Sequence, residues 1–479
     1  MSWGGLPRET WKRNQLAVNI AAAMIFLGFT LVTPFLPFYI ESIGVHGEAR
    51  IALWSGFLLT VSPFLAALLG PFWGRLADHL GMKVMVQRVL FTIAVHWGLM
   101  FFTRTVWHVL ALRIMLGLFS GFGTMSVALV THGCPRERIG HAVGTLQATQ
   151  IMSTAIGPFV GGLLAAGIGI RNTYLVTCTL CTVAFLFVLL LYRDIPASEA
   201  TEAPMVVGQA GPVSEGWRAI LPRRLRGARA AKPSFAAILR LPLLLPLLPL
   251  LFLVNMVDRA LFLIVPLCVA APGMHIRSLE ATTGIVMSGG AFAASASAYV
   301  FGRVAGRRAH ATRLLLVSLL AGAVLIIAMA LAHEVVGFTA ARILLGLAVG
   351  GAPTLAYTIA GDHIPDTVRA STYALLSSTA MLGASLGPTM TGVLSAASLR
   401  APLWAGGVTY LLLAAQTVAL DRRRRSHAAA LAGARTCACV PAPPRWPMAS
   451  GCSCTRCRAP GSCPSGAGTG SARRTSAPA

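Results

Sequence analysis

The sequence predicts an all-α membrane protein with twelve transmembrane helices arranged as two pseudo-symmetric six-helix bundles. Three observations predict this fold: an apolar composition, twelve apolar windows of spanning length, and an internal repeat. Of the 479 residues, 56% are hydrophobic and only 11% are charged, whereas soluble domains carry about 25% charged residues. The mean hydropathy is +0.72. A composition this apolar excludes an ordinary soluble protein.

Apolar windows of membrane-spanning length recur along most of the chain. A spanning helix needs about 20 mostly apolar residues, because the hydrocarbon core is about 30 Å thick and a helix rises about 1.5 Å per residue. The first window is too long for a cleavable signal peptide and lacks a small-residue cleavage site, so we expect it to remain as a span. We number the predicted spans 1 to 12 in chain order, at residues 16–40, 51–73, 84–103, 106–130, 140–168, 173–192, 243–270, 282–302, 313–332, 335–360, 369–396 and 402–420.

Basic residues concentrate in alternate connections between these windows. The formal net charge is +24, and the clusters precede span 1 and follow spans 2, 4, 6, 8 and 12. The opposite connections carry single arginines, at Arg50, Arg104, Arg171, Arg277 and Arg400. Short basic loops stay in the cytoplasm, so we expect a multi-pass protein of the inner (cytoplasmic) membrane with both termini inside. Topology accounts for the charge, and we expect the lipid bilayer, not nucleic acid, as its partner. We call the side with the basic clusters the basic side.

The second half of the chain repeats the first at a nearly constant offset in sequence. RIMLGL at 113–118 returns as RILLGL at 342–347, and FWGR at 72–75 returns as VFGR at 300–303. We therefore expect an N-terminal half at 1–192, a cytoplasmic linker at 193–240 and a C-terminal half at 241–420. Parallel repeats of this kind place a binding site near the midplane between the halves.

Residues 421–479 have a different composition, basic and rich in Cys, Pro and Ser, which predicts a disordered tail. Six of the ten cysteines lie there. Cys454 and Cys457 form a CxxC pair, but no second well-spaced pair follows and His427 is the one histidine of the tail. We therefore predict no metal and no cofactor. A functional extension and a stretch read out of frame remain alternatives for this tail.

The stretch GPFWGRLADHLGMKV at 70–84 carries several charges between spans 2 and 3. It fits the pattern G-x-L-A-D-x-x-G-x-K through Gly74, Asp78, Gly81 and Lys83, with Arg75 beside them. Glycines allow a tight turn, and an aspartate accepts hydrogen bonds from arginine or a helix N-terminus. The stretch resembles the loop signature of the major facilitator superfamily. The resemblance implies the fold of that family and a gating loop that clasps the cytoplasmic ends of the two halves.

Two departures from the family pattern weaken this clasp. Met82 stands where the signature has an arginine, and the second copy, GRVAGRR, has Gly306 where the aspartate would be. The alternative is a basic loop that only fixes the orientation in the membrane.

Three further motifs resemble those of twelve-span drug:proton antiporters of this superfamily. Span 5 contains the antiporter-type pattern, with a serine replacing its first glycine, at Ser153, Gly157, Pro158, Gly161 and Gly162. Span 1 contains LGFTLVTPFLP, with Gly28, Pro34 and Pro37. The resemblance implies export, whereas helix kinking alone is the alternative for both. In span 4, Arg113 occupies the position of an arginine implicated in proton handling; an arginine that snorkels to the membrane surface is the alternative.

Asp258 is the one carboxylate well inside a predicted span, with Arg259 beside it and Asn255 one turn earlier. A charge within the bilayer is costly, so an acid there takes up a proton readily. We expect Asp258, with Asn255, Arg259 and Arg113, to couple transport to protons, and a buried structural pair is the alternative. Gln147, Gln150 and His96 are candidates for polar groups of a cavity or for hydrogen bonds between helices.

Together these patterns predict a monomeric secondary transporter that exports small amphipathic compounds or drugs by proton antiport through alternating access, an activity associated with antibiotic resistance. The alternatives are a transporter of a specific metabolite with the same fold, or a non-transporting sensor or decayed transporter. We expect no enzyme, since no intramembrane Ser/His arrangement, HExxH or phosphate-binding glycine loop is present in the sequence.

Overall fold

A computed structural model describes residues 10–80, 82–119, 121–131, 134, 138–192, 244–271, 278–304, 308–361 and 369–436. All regular structure in these ranges is helical. The predicted linker at 193–240 and the cysteines of the tail lie outside the described residues. The chain divides into two units of contact: Met1–Arg425, which contains spans 1 to 11 and most of span 12, and Ser426–Ala479.

The first six spans match the predicted order. Span 1 is interrupted at Pro34, where the helix gives way to a single 3₁₀ turn before it resumes. Span 4 is interrupted at Gly121, whose φ of 135° favours glycine. The helices are Thr10–Val32, the 3₁₀ turn Thr33–Phe35 and Leu36–Ser42 for span 1, Glu48–Leu80 for span 2, Met82–Met100 for span 3, Val106–Phe119 and Phe122–Thr131 for span 4, Ile139–Ile168 for span 5 and Ile170–Leu191 for span 6.

The last six spans repeat this pattern, including a divided span 10. The helices are Leu244–Val269 for span 7, Leu279–Val304 for span 8, Arg308–Leu331 for span 9, Val335–Val349 and Ala352–Gly361 for span 10, Arg369–Ala397 for span 11 and Ala401–Thr436 for span 12. Among the described residues, eight helical stretches are long and apolar enough by themselves to cross a membrane, in spans 1, 2 and 5 to 10. The twelve-helix prediction is confirmed.

Two predicted boundaries were wrong. The signature between spans 2 and 3 is not a loop: span 2 remains helical through Leu80 and span 3 begins at Met82, with Gly81 between them. Most residues of this stretch favour helix, so spans 2 and 3 extend into it from both sides. Span 12 runs past the end predicted at residue 420 to Thr436, because its basic run is followed by alanines that continue the helix.

Each half has its own hydrophobic core. Trp97, Tyr39 and Tyr174 are among the largest buried side chains of the first core, and spans 7 to 12 form the second. A small third cluster joins the halves, at Ile51, Ala52, Leu263 and Leu267. Two separate cores joined by a small apolar contact are suited to two rigid bodies that move relative to each other.

Two equivalent arginines hold the helix ends opposite the basic side. Arg171 donates hydrogen bonds to the carbonyl oxygens of Phe101 and Thr103, over 2.9 and 2.7 Å. Arg400, at the equivalent position of the second half, donates to the carbonyl oxygens of Ala330 and Ala332, over 2.9 and 3.2 Å. The last carbonyls of a helix lack partners within it, and a cation there also complements the helix dipole. Each arginine therefore fixes the end of span 3 or span 9.

Replacing either Arg171 or Arg400 with Ala is expected to lower the free energy of unfolding by about 1 to 2 kcal/mol, because each variant loses charge-assisted hydrogen bonds that water replaces only in part. Thermal unfolding in detergent measures the loss. Arg104→Ala is the control, since Arg104 is exposed on the same side. Equal melting temperatures for all three variants would contradict the proposed capping.

Candidate functional site

The two halves meet at the side opposite the basic clusters, through two equivalent helix pairs. A Cβ at Gly56 of span 2 would overlap the carbonyl oxygen of Pro388 in span 11. In the same way, a Cβ at Gly284 of span 8 would overlap the carbonyl oxygen of Pro158 in span 5. Glycine is required in both places because the backbones approach so closely. The contacts between spans 2 and 11 and between spans 5 and 8 close the molecule on the side opposite the basic side.

The same helix faces separate toward the basic side. On span 5, Ile151 lies two turns from Pro158 on the face that meets span 8, and its side chain is 49% exposed. On span 11, the equivalent Met381 is 53% exposed. Pro63 of span 2 and Tyr299 of span 8 are exposed on the corresponding faces of the partner helices. A cleft therefore lies between the halves and opens toward the basic side.

The antiporter-type motif of span 5 packs on both sides of that helix. A Cβ at Gly157 would overlap the side chain of Thr30 in span 1, and a Cβ at Gly161 would overlap the carbonyl oxygen of Leu31. A Cβ at Gly162 would lie 2.5 Å from the carbonyl oxygen of Glu280 in span 8. The motif thus joins span 1 to span 5 within its half and also forms part of the contact between halves.

Ser153 of this motif is buried, and its carbonyl oxygen accepts a 3.5 Å hydrogen bond from Thr30 Oγ1. In the span 1 motif, Pro34 and Pro37 are buried at the helix break. A Cβ at Gly28 would lie 3.0 Å from Thr177 Cγ2 in span 6. The geometry of these residues is that of kinks and close helix packing.

Asp258 lies in the middle of span 7 with its side chain exposed. Neighbouring residues of the helix are packed: Val254 and Leu261, each about one turn from Asp258, belong to the second core, and Gly387 of span 11 packs against Met256. The exposed carboxyl group of Asp258 does not form the buried structural pair of the alternative.

The neighbours predicted for Asp258 point elsewhere. Asn255 donates its side-chain amide to the carbonyl oxygen of Leu251, over 2.8 Å, within its own helix. The guanidinium carbon of Arg259 lies 5.6 Å from the ring centroid of Phe262. Neither residue forms a hydrogen bond or ion pair with Asp258 in the part of the chain that the structure describes.

Among the described residues, Arg342 of span 10 and Tyr410 of span 12 lie within electrostatic range of Asp258. Arg342 of span 10 is 5% exposed, and its Nε has no hydrogen-bond partner. It fits because residue 290 is glycine: a Cβ there would lie 2.6 Å from the guanidinium carbon. Sequence reasoning noted Arg342 as the repeat of Arg113 but did not pair it with Asp258, and it missed Tyr410, which no motif marks.

Arg113 occupies the equivalent position in the first half, where no acidic group among the described residues interacts with it. It is 4% exposed, so it does not snorkel to the surface. Its guanidinium carbon lies 5.7 Å from the ring centroid of Trp97, and it interacts electrostatically with His96 and Tyr174. Phe29, which stands in the first half where Asp258 stands in the second, packs edge-on against Trp97 at 5.3 Å. The two halves are alike in fold and different in charge, so Asp258 distinguishes the second half.

The three candidate cavity groups have different surroundings. His96 is fully buried, and its Nδ1 lies 3.1 Å from the carbonyl oxygen of Leu112, between spans 3 and 4. Gln150 donates to Ser126 Oγ over 3.3 Å, between spans 5 and 4. Both therefore bond helix to helix. Gln147 is exposed one turn from Ile151, on the face of span 5 that lines the cleft.

The predicted gating segment ends span 2 on the basic side. Lys83 is partly exposed. The side chains of Gly74, Arg75 and Asp78, and the whole of Gly81, lie outside the described residues. Within the segment, Trp73 donates to the carbonyl oxygen of Leu118 over 2.7 Å, and the guanidinium carbon of Arg88 lies 3.4 Å from the Trp73 ring centroid. These contacts hold the end of span 2 against spans 3 and 4.

Two six-helix repeats around a cleft that lies within the bilayer define a polytopic membrane transporter. The family model of the Major Facilitator Superfamily matches residues 18–333 and 247–455. The chain belongs to this superfamily, and it is a multi-pass membrane protein.

Curated relatives and solved structures agree with this placement. The chain is 29% identical to the multidrug resistance protein MdtG of Serratia proteamaculans, over 81% of this chain and 88% of the relative. It is 28% identical to a homologue of the multidrug resistance efflux pump PmrA from Lactococcus lactis, over 71% and 78%. A bacterial homologue of the lysosomal transporter Spinster, solved in an inward-facing and occupied conformation, shares the fold. The TM-score is 0.67 at 16% identity, covering 85% of this chain and 96% of that one.

Proposed function

We propose that this protein exports small amphipathic compounds or drugs across the cytoplasmic membrane by proton antiport through alternating access. The observation that carries the proposal is an exposed carboxyl group, Asp258, in the middle of a membrane span of a protein whose two halves separate toward one side. The names of the relatives, multidrug resistance protein and efflux pump, support drugs as the cargo. The basic clusters support a cytoplasmic basic side, so that the cleft is open to the cytoplasm.

Asp258 is the proposed site of proton exchange. A substrate from the cytoplasm enters the cleft, and the halves then rock so that the contacts on the opposite side separate. Asp258 takes up a proton from that side as substrate leaves, and it releases the proton after the return to the state described here. Arg75 and Asp78 at the end of span 2, with Lys83 at the start of span 3, would clasp the cytoplasmic ends in the alternate state.

The test uses everted membrane vesicles from cells that produce the full chain. Respiration acidifies the vesicle interior, and a pH-sensitive dye reports the gradient. Under the proposal, adding a transported compound causes a rise in internal pH, because each substrate molecule entering exchanges for protons leaving. Vesicles without the protein are the control.

The panel contains amphipathic cations, zwitterions, neutral drugs and common metabolites. A response to several unrelated amphipathic compounds supports drug export, and a response to one metabolite alone favours the specific transporter. If no compound of the panel changes the internal pH, and the intact chain is shown to be inserted in the membrane, the result contradicts antiport and favours a non-transporting protein.

A further inference from the structure

Two hydroxyl groups at equivalent positions accept hydrogen bonds from the opposite half of the molecule. The backbone N–H of Phe159 in span 5 donates to Ser288 Oγ in span 8, over 2.8 Å. The backbone N–H of Thr389 in span 11 donates to Thr60 Oγ1 in span 2, over 3.2 Å. Thr60 and Ser288 occupy matching positions of the two repeats, and both are buried. The two hydrogen bonds are therefore related by the same internal repeat that relates the two halves of the sequence.

Each donor is the residue directly after the proline of a Gly-Pro pair. A proline inside a helix removes one N–H donor and displaces the carbonyl of the preceding turn, so the regular ladder is weakened there. In a bilayer, backbone groups freed in this way bond to side chains of neighbouring helices. Glycines of the facing spans bring the partner backbones close enough for these bonds.

The two contacts are unequal. On the side of spans 2 and 11, Thr389 Oγ1 also lies 2.7 Å from Thr60 Oγ1 and 3.3 Å from the carbonyl oxygen of Gly56. On the side of spans 5 and 8, Phe159 has no hydroxyl to add a second bond to Ser288. Removal of Thr60 Oγ1 therefore breaks two hydrogen bonds between the halves, whereas removal of Ser288 Oγ breaks one.

We infer that Thr60 and Ser288 form a paired latch that holds the side opposite the basic clusters closed, with Thr60 the stronger member. The inference rests on the alternating access proposed above, because all these bonds cross the boundary between halves at the end that must separate. The latch releases when the halves rock apart, and its strength sets the ratio of molecules open to either side.

The test is hydrogen–deuterium exchange of the full chain in lipid nanodiscs, followed peptide by peptide. In the double variant Thr60→Val, Ser288→Ala we expect about a tenfold rise in the ratio of molecules open on the opposite side, since hydrogen bonds between membrane helices are individually modest. Peptides covering residues 52–60 and 281–288 would exchange faster, and peptides lining the cleft near the basic side would exchange more slowly. Thr60→Val alone should shift exchange more than Ser288→Ala alone.

Two further double variants show whether the effect is specific to the hydrogen bonds between halves or follows the loss of any buried hydroxyl group. The pair Thr391→Val, Ser385→Ala removes buried hydroxyls that bond within their own helix, to the carbonyl oxygens of Gly387 and Leu382, and should leave exchange unchanged. Thr60→Ser, Ser288→Thr keeps both hydroxyls and should behave as the parent protein. The latch is overturned if the variant Thr60→Val, Ser288→Ala exchanges at the same rate as the parent protein. It is also overturned if the variant Thr391→Val, Ser385→Ala changes the exchange rates by the same amount.

The single variants are measured in the same way, so misfolding of the double variant leaves the test decisive. The measurement needs neither substrate nor a pH gradient. A failed antiport assay and a failed latch are therefore separate outcomes.

Discussion

Efflux driven by the proton gradient is expected to disappear when Asp258 is replaced with Asn. The amide keeps the size of the side chain but cannot exchange a proton. In everted vesicles, substrate should no longer release internal protons. Active efflux should fall to the level of membranes without the protein, while movement down a substrate gradient can persist.

Two variants accompany this experiment. Asp258→Glu keeps a carboxyl group near Arg342 and should retain part of the activity. Glu280→Gln removes a carboxylate at the start of span 8, on the opposite side and away from Asp258, and should transport normally. Unchanged active efflux in the Asn variant would rule out Asp258 as the proton carrier.

The second large effect is expected from Gly161→Ala. The added methyl group would overlap the carbonyl oxygen of Leu31 in span 1. Backbone atoms cannot rotate away as a side chain can, so spans 1 and 5 must separate, at a cost of about 3 kcal/mol. We expect little folded protein, measured as the yield of the monodisperse species and its melting temperature in detergent.

Gly167→Ala is the matched control in the same helix. No atom lies within 4 Å of a Cβ at Gly167, and alanine favours helix over glycine by about 1 kcal/mol. The control should therefore be at least as stable as the parent protein. A Gly161→Ala protein with the parent's melting temperature would show that spans 1 and 5 are not packed backbone to backbone.

The fold could be predicted because hydropathy and repetition act at the scale of whole helices. Twelve apolar windows gave the order of spans, and the offset of Arg113 and Arg342 paired the two halves. The same offset also predicts further pairs of equivalent residues. Applied to Arg171 it leads to Arg400, and applied to Thr60 it leads to the neighbourhood of Ser288, yet neither pair belongs to a motif that draws attention.

The site was harder to predict because its geometry depends on the rotation of each helix about its axis. Asn255 is one turn from Asp258 and Arg259 is adjacent to it, yet both side chains bond elsewhere. The electrostatic partners come from spans 10 and 12, far away in sequence. Helix rotation also placed His96 inside a half, whereas Gln147 lines the cleft. Apolar periodicity in spans that are hydrophobic on every face does not fix these orientations.

The most direct test of proton-coupled export by this chain uses the purified protein in proteoliposomes with an acidic lumen. Under proton antiport, a fluorescent amphipathic cation accumulates in the lumen above its external concentration, and an ionophore that collapses the pH gradient releases it. The Asp258→Asn protein should show no such accumulation. Equilibration without accumulation, or accumulation that survives collapse of the gradient, would contradict proton antiport.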